Sequence, residues 1–343
     1  MTSGLDRRRF LGLGIGLAAP LLAGAGCSVT DPRIVVPGRT ADPRSDQDPA
    51  SGDQPSPSPS PTFAGSTQGA EAEQRLAGLA AALLTGPWRR SLGSRKALLV
   101  GVEAAHLEHA TALLGEQPTN RPTAPPADPI KPTEKATTLE AAFLRLRMAE
   151  QKQAVRHRKA ALGTTGTSSL LWGSMSVAAS SYAAALRSTR PVAVRKPKPH
   201  VPLPQLSDVE AAQELVRQLH AIVYGYQLAI GRLTDRSAQA VAVARLREQR
   251  ILLDALTSSL VSRGAAVPAA EPAYEPGVDP RSSASAARLI KTMEIALAPF
   301  CGLWLAAATN GSDRGRAFTA LADTVATGLR WGASIRAWPG WTG

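Results

Sequence analysis

"EQPTNRPTAPPADPIKPTEKA", residues 116–136, decides how this chain can fold. On both sides the sequence is rich in Ala and Leu, with apolar residues recurring three and four apart, the spacing of a helix that buries one face. The quoted stretch carries proline after proline, so it cannot continue either helix. It is also far longer than a turn. A helix of about 22 residues spans about 33 Å, and even seventeen extended residues reach at most about 60 Å. Such a connection can run the full length of a neighbouring helix, so the helices it joins can lie side by side and point the same way.

The same reading extends outward. Eight helices are predicted at 71–84, 93–115, 138–162, 167–187, 207–233, 236–263, 281–309 and 313–334, with almost no strand signature. The first pair is joined by the short "TGPWRRSL" and the second by "GTTGT", with the long stretch between them. The second four repeat the rhythm: "TDR", then "GAAVPAAEPAYEPGVDP" at 264–280, then "TNGSD". Short, long, short is what a four-helix bundle needs when its second and third helices are parallel through one crossover. The fold class is therefore all-α, with two such bundles in tandem at 70–187 and 206–343. Local signals agree, since Ser207-Asp208-Val209-Glu210 reads as a capping box and Gly264 follows the sixth helix. Between the bundles, "RSTRPVAVRKPKPHVPLPQ" carries five basic side chains and five prolines and forms a stiff basic linker at 188–205.

The N-terminus belongs to a different kind of sequence. Arg7, Arg8 and Arg9 precede an apolar run that is short for a permanent membrane helix, the layout of an export signal. "RRRFL", with Phe10 and Leu11, resembles the twin-arginine signal. The run ends in "LLAGAGC", which resembles a bacterial lipoprotein cleavage box with Cys27 as the lipidated residue, although Gly24 stands where a branched apolar residue is usual. Residues 1–27 are read as this signal. Residues 28–69, centred on "PSPSPSP", are read as a disordered tether that cannot bury a core. The expected location is the outer face of the cell membrane, lipid-anchored after twin-arginine export. Secretion with loss of Cys27 is the alternative.

The formal charge is +12, and losing residues 1–26 with three arginines and one aspartate leaves +10. That balance suits anionic lipid or a cell-wall polymer, with Arg190, Arg195, Lys196 and Lys198 of the linker as the expected contact. A solvated basic surface is the plain alternative. Nucleic acid is not expected, because aromatics are sparse and an exported protein has little access to it. A homodimer is left open. Cys301, inside an apolar helical pattern, reads as a small buried hydrophobe, and no disulfide framework is expected.

Residues 207–343 resemble a ferritin-like domain family of unknown function found in exported bacterial proteins. The resemblance rests on "LHAIVYGYQLAIGRL" at 219–233, "REQRILLDAL" at 247–256, "AAEPAY" at 269–274 and "RWGASIRAWPGW" at 330–341. It implies a ferritin-like fold and no established reaction. It also implies a Glu-His pair where this chain has Leu219-His220, and the missing glutamate counts against a metal in the second bundle.

Several polar residues fall on faces that should be buried. A two-metal carboxylate site takes a Glu from each of two helices and a Glu-x-x-His from each of the other two. Glu103-Ala-Ala-His106 is one such motif, and Val102, His106, His109 and Leu113 share a stripe. On the third helix Leu139, Phe143, Leu146, Glu150, Gln153 and His157 align, and Glu73 aligns with Leu76, Ala80 and Leu83. The fourth helix offers no carboxylate or histidine. Glu73, Glu103, His106, His109, Glu150 and His157 thus make a possible single-metal pocket, or histidines and glutamates that satisfy one another. The cations of "RHRK" at 156–159 argue against a metal there. In the second bundle His220, Glu248 and Glu294 are expected to face inward, more in a hydrogen-bonded network with Arg245 or Lys291 than around an ion. The six tryptophans read as packing.

No phosphate loop, nucleophile elbow or cysteine-histidine zinc spacing is present. The expected protein is a non-enzymatic envelope lipoprotein without a cofactor. The alternative is a metal-binding oxidoreductase or storage protein holding iron or manganese.

Overall fold

The computed structural model describes residues 65–115, 136, 138–188, 192–195 and 204–341. Arg7, Arg8, Arg9, Phe10, Leu11 and Cys27 lie outside the described residues, as do Arg190, Lys196 and Lys198. The described chain is all helical: α1 (Ser66–Thr85), α2 (Arg95–Leu114), α3 (Leu139–Gly163), α4 (Gly166–Ala185), α5 (Asp208–Ile230), α6 (Arg236–Ser262), α7 (Ser283–Ala307) and α8 (Gly311–Arg330). α1 begins inside the stretch read as tether, because Ser66 and Gly69 already face the core. Among the described residues there is no strand, only an isolated bridge between Val194 and Ile335.

The helix ends follow local chemistry. Ser207 accepts the Glu210 amide while the Glu210 carboxylate accepts the Ser207 amide, so the expected capping box closes at the start of α5. Gly264 adopts φ +67° just past α6, a conformation that costs glycine little. Arg263, at the C-terminal end of α6, pairs with Asp208 at 3.1 Å and with Asp313. Those aspartates open α5 and α8, where negative charge favours the helix dipole.

Cross-helix contacts fix the directions. Ser176 Oγ donates to the Ala154 carbonyl (2.7 Å) and Ser169 Oγ to the Ala161 carbonyl (2.8 Å), so α3 and α4 are antiparallel. Arg95 at the start of α2 pairs with Glu140 at the start of α3 (2.8 Å), so α2 and α3 run the same way. In the second half Thr309, just past α7, donates to Asp208 at the start of α5 (3.0 Å). Gln213 near the start of α5 donates to the Ala266 carbonyl just beyond α6 (2.7 Å). α6 and α7 are therefore both antiparallel to α5.

One continuous apolar core joins the two groups of four helices. α4 lies against α7 closely enough that a Cβ on Gly173 would come within 2.6 Å of Leu305. After α8 the chain folds back across this seam. Ser174 Oγ donates to the Pro339 carbonyl (2.7 Å), and Ile335 exchanges backbone bonds of 2.9 Å with Ala193 and Arg195. α2 and α7 are apolar and long enough to cross a bilayer, yet 78% of the most apolar stretch of α7 is buried in the fold.

Candidate functional site

Four helices bring a polar cluster together inside the first group. Glu73 of α1, His106 and His109 of α2, Glu150 and His157 of α3 and Tyr182 of α4 are each at most 1% exposed. Glu73 is the hub. Its Oε2 lies 2.8 Å from Nδ1 of both His106 and His109, and its Oε1 lies 2.7 Å from Nε2 of His157. His106 Nε2 reaches Glu150 Oε1 at 2.8 Å, and Gln153 stands 3.1 Å from His157 Nε2. The sixth contact comes from the far end of the chain: His109 Nε2 donates to the Ala337 carbonyl at 2.8 Å. Trp338 packs edge-on to the same ring at 4.6 Å.

A carbonyl only accepts, so the proton of His109 sits on Nε2 and Nδ1 is turned towards Glu73. His106 faces a carboxylate oxygen at each nitrogen. A neutral imidazole carries one N–H, so satisfying every contact of His106 and His109 takes two protons beyond the neutral rings. Burial opposes charge on His106, but Glu150 and Glu73 together outweigh it and push its pKa up to about 10. Burial would likewise raise Glu73, yet His106, His109 and His157 hold its carboxyl well below the usual range. Glu150 goes the other way, raised chiefly by burial, because only His106 lies close enough to oppose it strongly. Its Oε2 and the Tyr182 hydroxyl have no hydrogen-bond partner among the described residues. Burial, then Glu150 and Glu73, keeps that phenol well above its ordinary value.

These residues fit a divalent cation. One ligand atom each from Glu73, His106 and His109 lies within 4.8 Å of the others, and mixed imidazole and carboxylate donors suit zinc, iron or manganese. A 2+ ion carries the same charge as the two protons it would displace.

Of the residues picked from sequence, five converge and one does not. Glu103 is half-buried beside the stripe and is not among the residues that converge on Glu73. The basic run at 156–159 proves no obstacle, since Arg156, Arg158 and Lys159 are exposed while His157 turns inward. Tyr182 was missed, because a tyrosine in an Ala-Ser helix carries no ligand signature.

The second group differs from expectation. Glu294 of α7 is buried, as expected, and pairs with Arg245 of α6 through Nε (3.0 Å) and Nη2 (3.1 Å). Tyr226 of α5 donates to it at 2.5 Å, and Arg245 reaches Thr324 of α8 at 3.0 Å. Glu248 does not join them at the core. Its side chain is 60% exposed and touches Arg245 only from the rim, at 3.1 Å. The buried face of α6 is Ala242, Arg245, Leu246, Gln249, Leu256 and Leu260, so Ile251 is exposed instead. His220 is half-buried and bonds the Pro268 carbonyl at 3.2 Å, well away from Glu294. Lys291 is half-buried and takes no part. Cys301 is buried and unpaired, 3.9 Å from Thr324 Oγ1, and burial pushes its thiol up to about 12.

Residues 211–343 match DUF4439, a domain of unknown function. The match takes in the Arg245–Glu294 network and the C-terminal tail. The histidine cluster lies ahead of it except for the Ala337 carbonyl. A solved structure of a conserved hypothetical protein, rv2844, from Mycobacterium tuberculosis is 28% identical, over 36% of this chain and 93% of that one, with a TM-score of 0.35. No curated protein matches the chain.

Proposed function

We propose that this is an exported, lipid-anchored envelope protein built of two ferritin-like four-helix bundles, the first of which holds one divalent metal ion. The single observation that carries the metal is the convergence of Glu73, His106 and His109 at the core of the first group, one ligand atom of each within 4.8 Å of the others. The three ligands are sealed from solvent, which suits an ion that is held rather than one that turns over substrate, and Glu150 is an outer partner on the far nitrogen of His106. The Ala337 carbonyl acts as an outer partner of the kind that orients a ligating histidine. Parallel pairs α2/α3 and α6/α7 support the two crossovers, and the signal and lipobox resemblances support the anchor. In this reading the basic linker, with exposed Arg195, faces the anionic surface to which the lipid tethers it.

Elemental analysis of protein purified without a tag tests the metal. About one zinc, iron or manganese per chain is expected, falling to background in Glu73→Gln and in His106→Gln. Trace metal that neither substitution changes would leave a purely hydrogen-bonded core in its place.

A further inference from the structure

A second feature owes nothing to the polar cluster. Between α3, α4 and α8 runs a cleft of about 830 Å³, within the range of small-molecule sites. Ala154 and Val155 form one wall, Val177 the floor, and Phe318, Ala322 and Leu329 the other wall. Val155 is 69% exposed, a large apolar side chain open to solvent at the mouth. Two of the lining hydroxyls are already used: Ser176 donates to the Ala154 carbonyl and Ser181 to the Val177 carbonyl. Such walls offer contact to hydrocarbon and little to a polar ligand.

The rim is the opposite. Arg158, Arg187 and Arg330 border the cleft, and no carboxylate lines it. None of the three is ion-paired among the described residues, and Arg158 lies over the Phe318 ring, 5.4 Å from its centre. Glu248 lines a smaller neighbouring cleft with Arg330 and is engaged by Arg245. Three uncompensated guanidiniums around an apolar trough attract a negative head group and disfavour a cationic or purely apolar occupant. The trough is floored by small side chains, which fits one flexible chain.

We propose that this cleft binds a single-chain anionic amphiphile, an alkyl chain ending in a carboxylate or a phosphate ester, with the head at Arg187 and Arg330 and the chain running along Val177 towards Phe318 and Arg158.

Calorimetric titration of the full chain with dodecanoate and with dodecyl phosphate, both below micelle formation, tests this. At least one anion should saturate a single site, and the stronger of the two identifies the head group. Dodecanol and dodecyltrimethylammonium should bind at least about tenfold more weakly, as expected when charge-assisted hydrogen bonds are lost. Arg187→Gln with Arg330→Gln should weaken the anion by about tenfold. Ala322→Trp should abolish binding by filling the trough, and Ala326→Trp on the same wall replaces it should the first lose helical circular dichroism. Absence of saturable binding for both anions overturns the proposal. So does equal binding of the cation, or binding undiminished by either kind of variant, which would place the amphiphile elsewhere on the chain.

Discussion

The two groups of helices each bury a polar knot, and the knots are made of different chemistry. In the first, three imidazoles and two carboxylates are joined by hydrogen bonds through which protons can be gained or lost. In the second, one guanidinium that never loses its proton is locked to Glu294, with Tyr226 and Thr324 completing it. Both sit at the middle of four helices, where unpaired polar groups would be costly. The difference teaches that similar helix arrangements can carry an adjustable centre or a fixed one, according to whether the cation is histidine or arginine.

The comparison breaks most visibly at Arg245. Arg245→Leu leaves the Glu294 carboxylate buried with only neutral partners, and removing one member of a buried pair costs about 3–5 kcal/mol. A fall in the urea midpoint of that size, with metal content unchanged, is the expected result. Glu73→Gln strikes the first knot instead. It removes the charge that three histidines share, so metal is lost and stability drops by about 1–3 kcal/mol. A substitution at Arg245 that also emptied the metal centre would show the two knots to be coupled.

Proton exchange sharpens the contrast. With metal removed by a chelator, the raised pKa of His106 makes its stabilisation complete below about 6.5, and that stabilisation is lost as pH climbs towards about 10. Glu73, held low, contributes above its ordinary value and loses that contribution only in acid. The metal-free protein should therefore unfold at lower urea at pH 9 than at pH 6, and His106→Gln should flatten that slope. Arg245 and Tyr226 are pushed further up from already high values, so the second knot adds no slope in this window.

How much of this was legible in the sequence follows from contrast along each helix. On α2 and α3 polar residues interrupt otherwise apolar stripes, so His106, His109, Glu150 and His157 stood out. α6 defeated the same method. Its buried face includes Arg245, expected as a network partner, and Gln249, a residue that pattern reading turns outward, while Val243, Ile251 and Val261 are exposed. The phase therefore came out rotated, which placed Glu248 inside. Helix ends were legible because proline, glycine and capping serines mark them. The return of the tail was not. A bond from His109 to Ala337 spans most of the chain, and nothing local in "RWGASIRAWPGW" announces a carbonyl destined for a histidine.

That tail gives the smallest and most specific test. Ser174 on α4 donates to the Pro339 carbonyl, two residues beyond the Ala337 carbonyl that sets the tautomer of His109. Ser174→Ala removes one neutral hydrogen bond, worth about 0.5–1.5 kcal/mol, and leaves every ligand side chain in place. Global stability should barely change. Metal should nonetheless leave faster on dilution into chelator, because a loosened tail frees the His109 ring to turn its proton towards Glu73. Gly302→Ala makes the same point from the other side: its Cβ would overlap the Gly340 backbone and push the tail off α7. If both variants release metal at the parent rate, the tail only covers the first knot. If both release it faster, the second half of the chain tunes an ion held by the first.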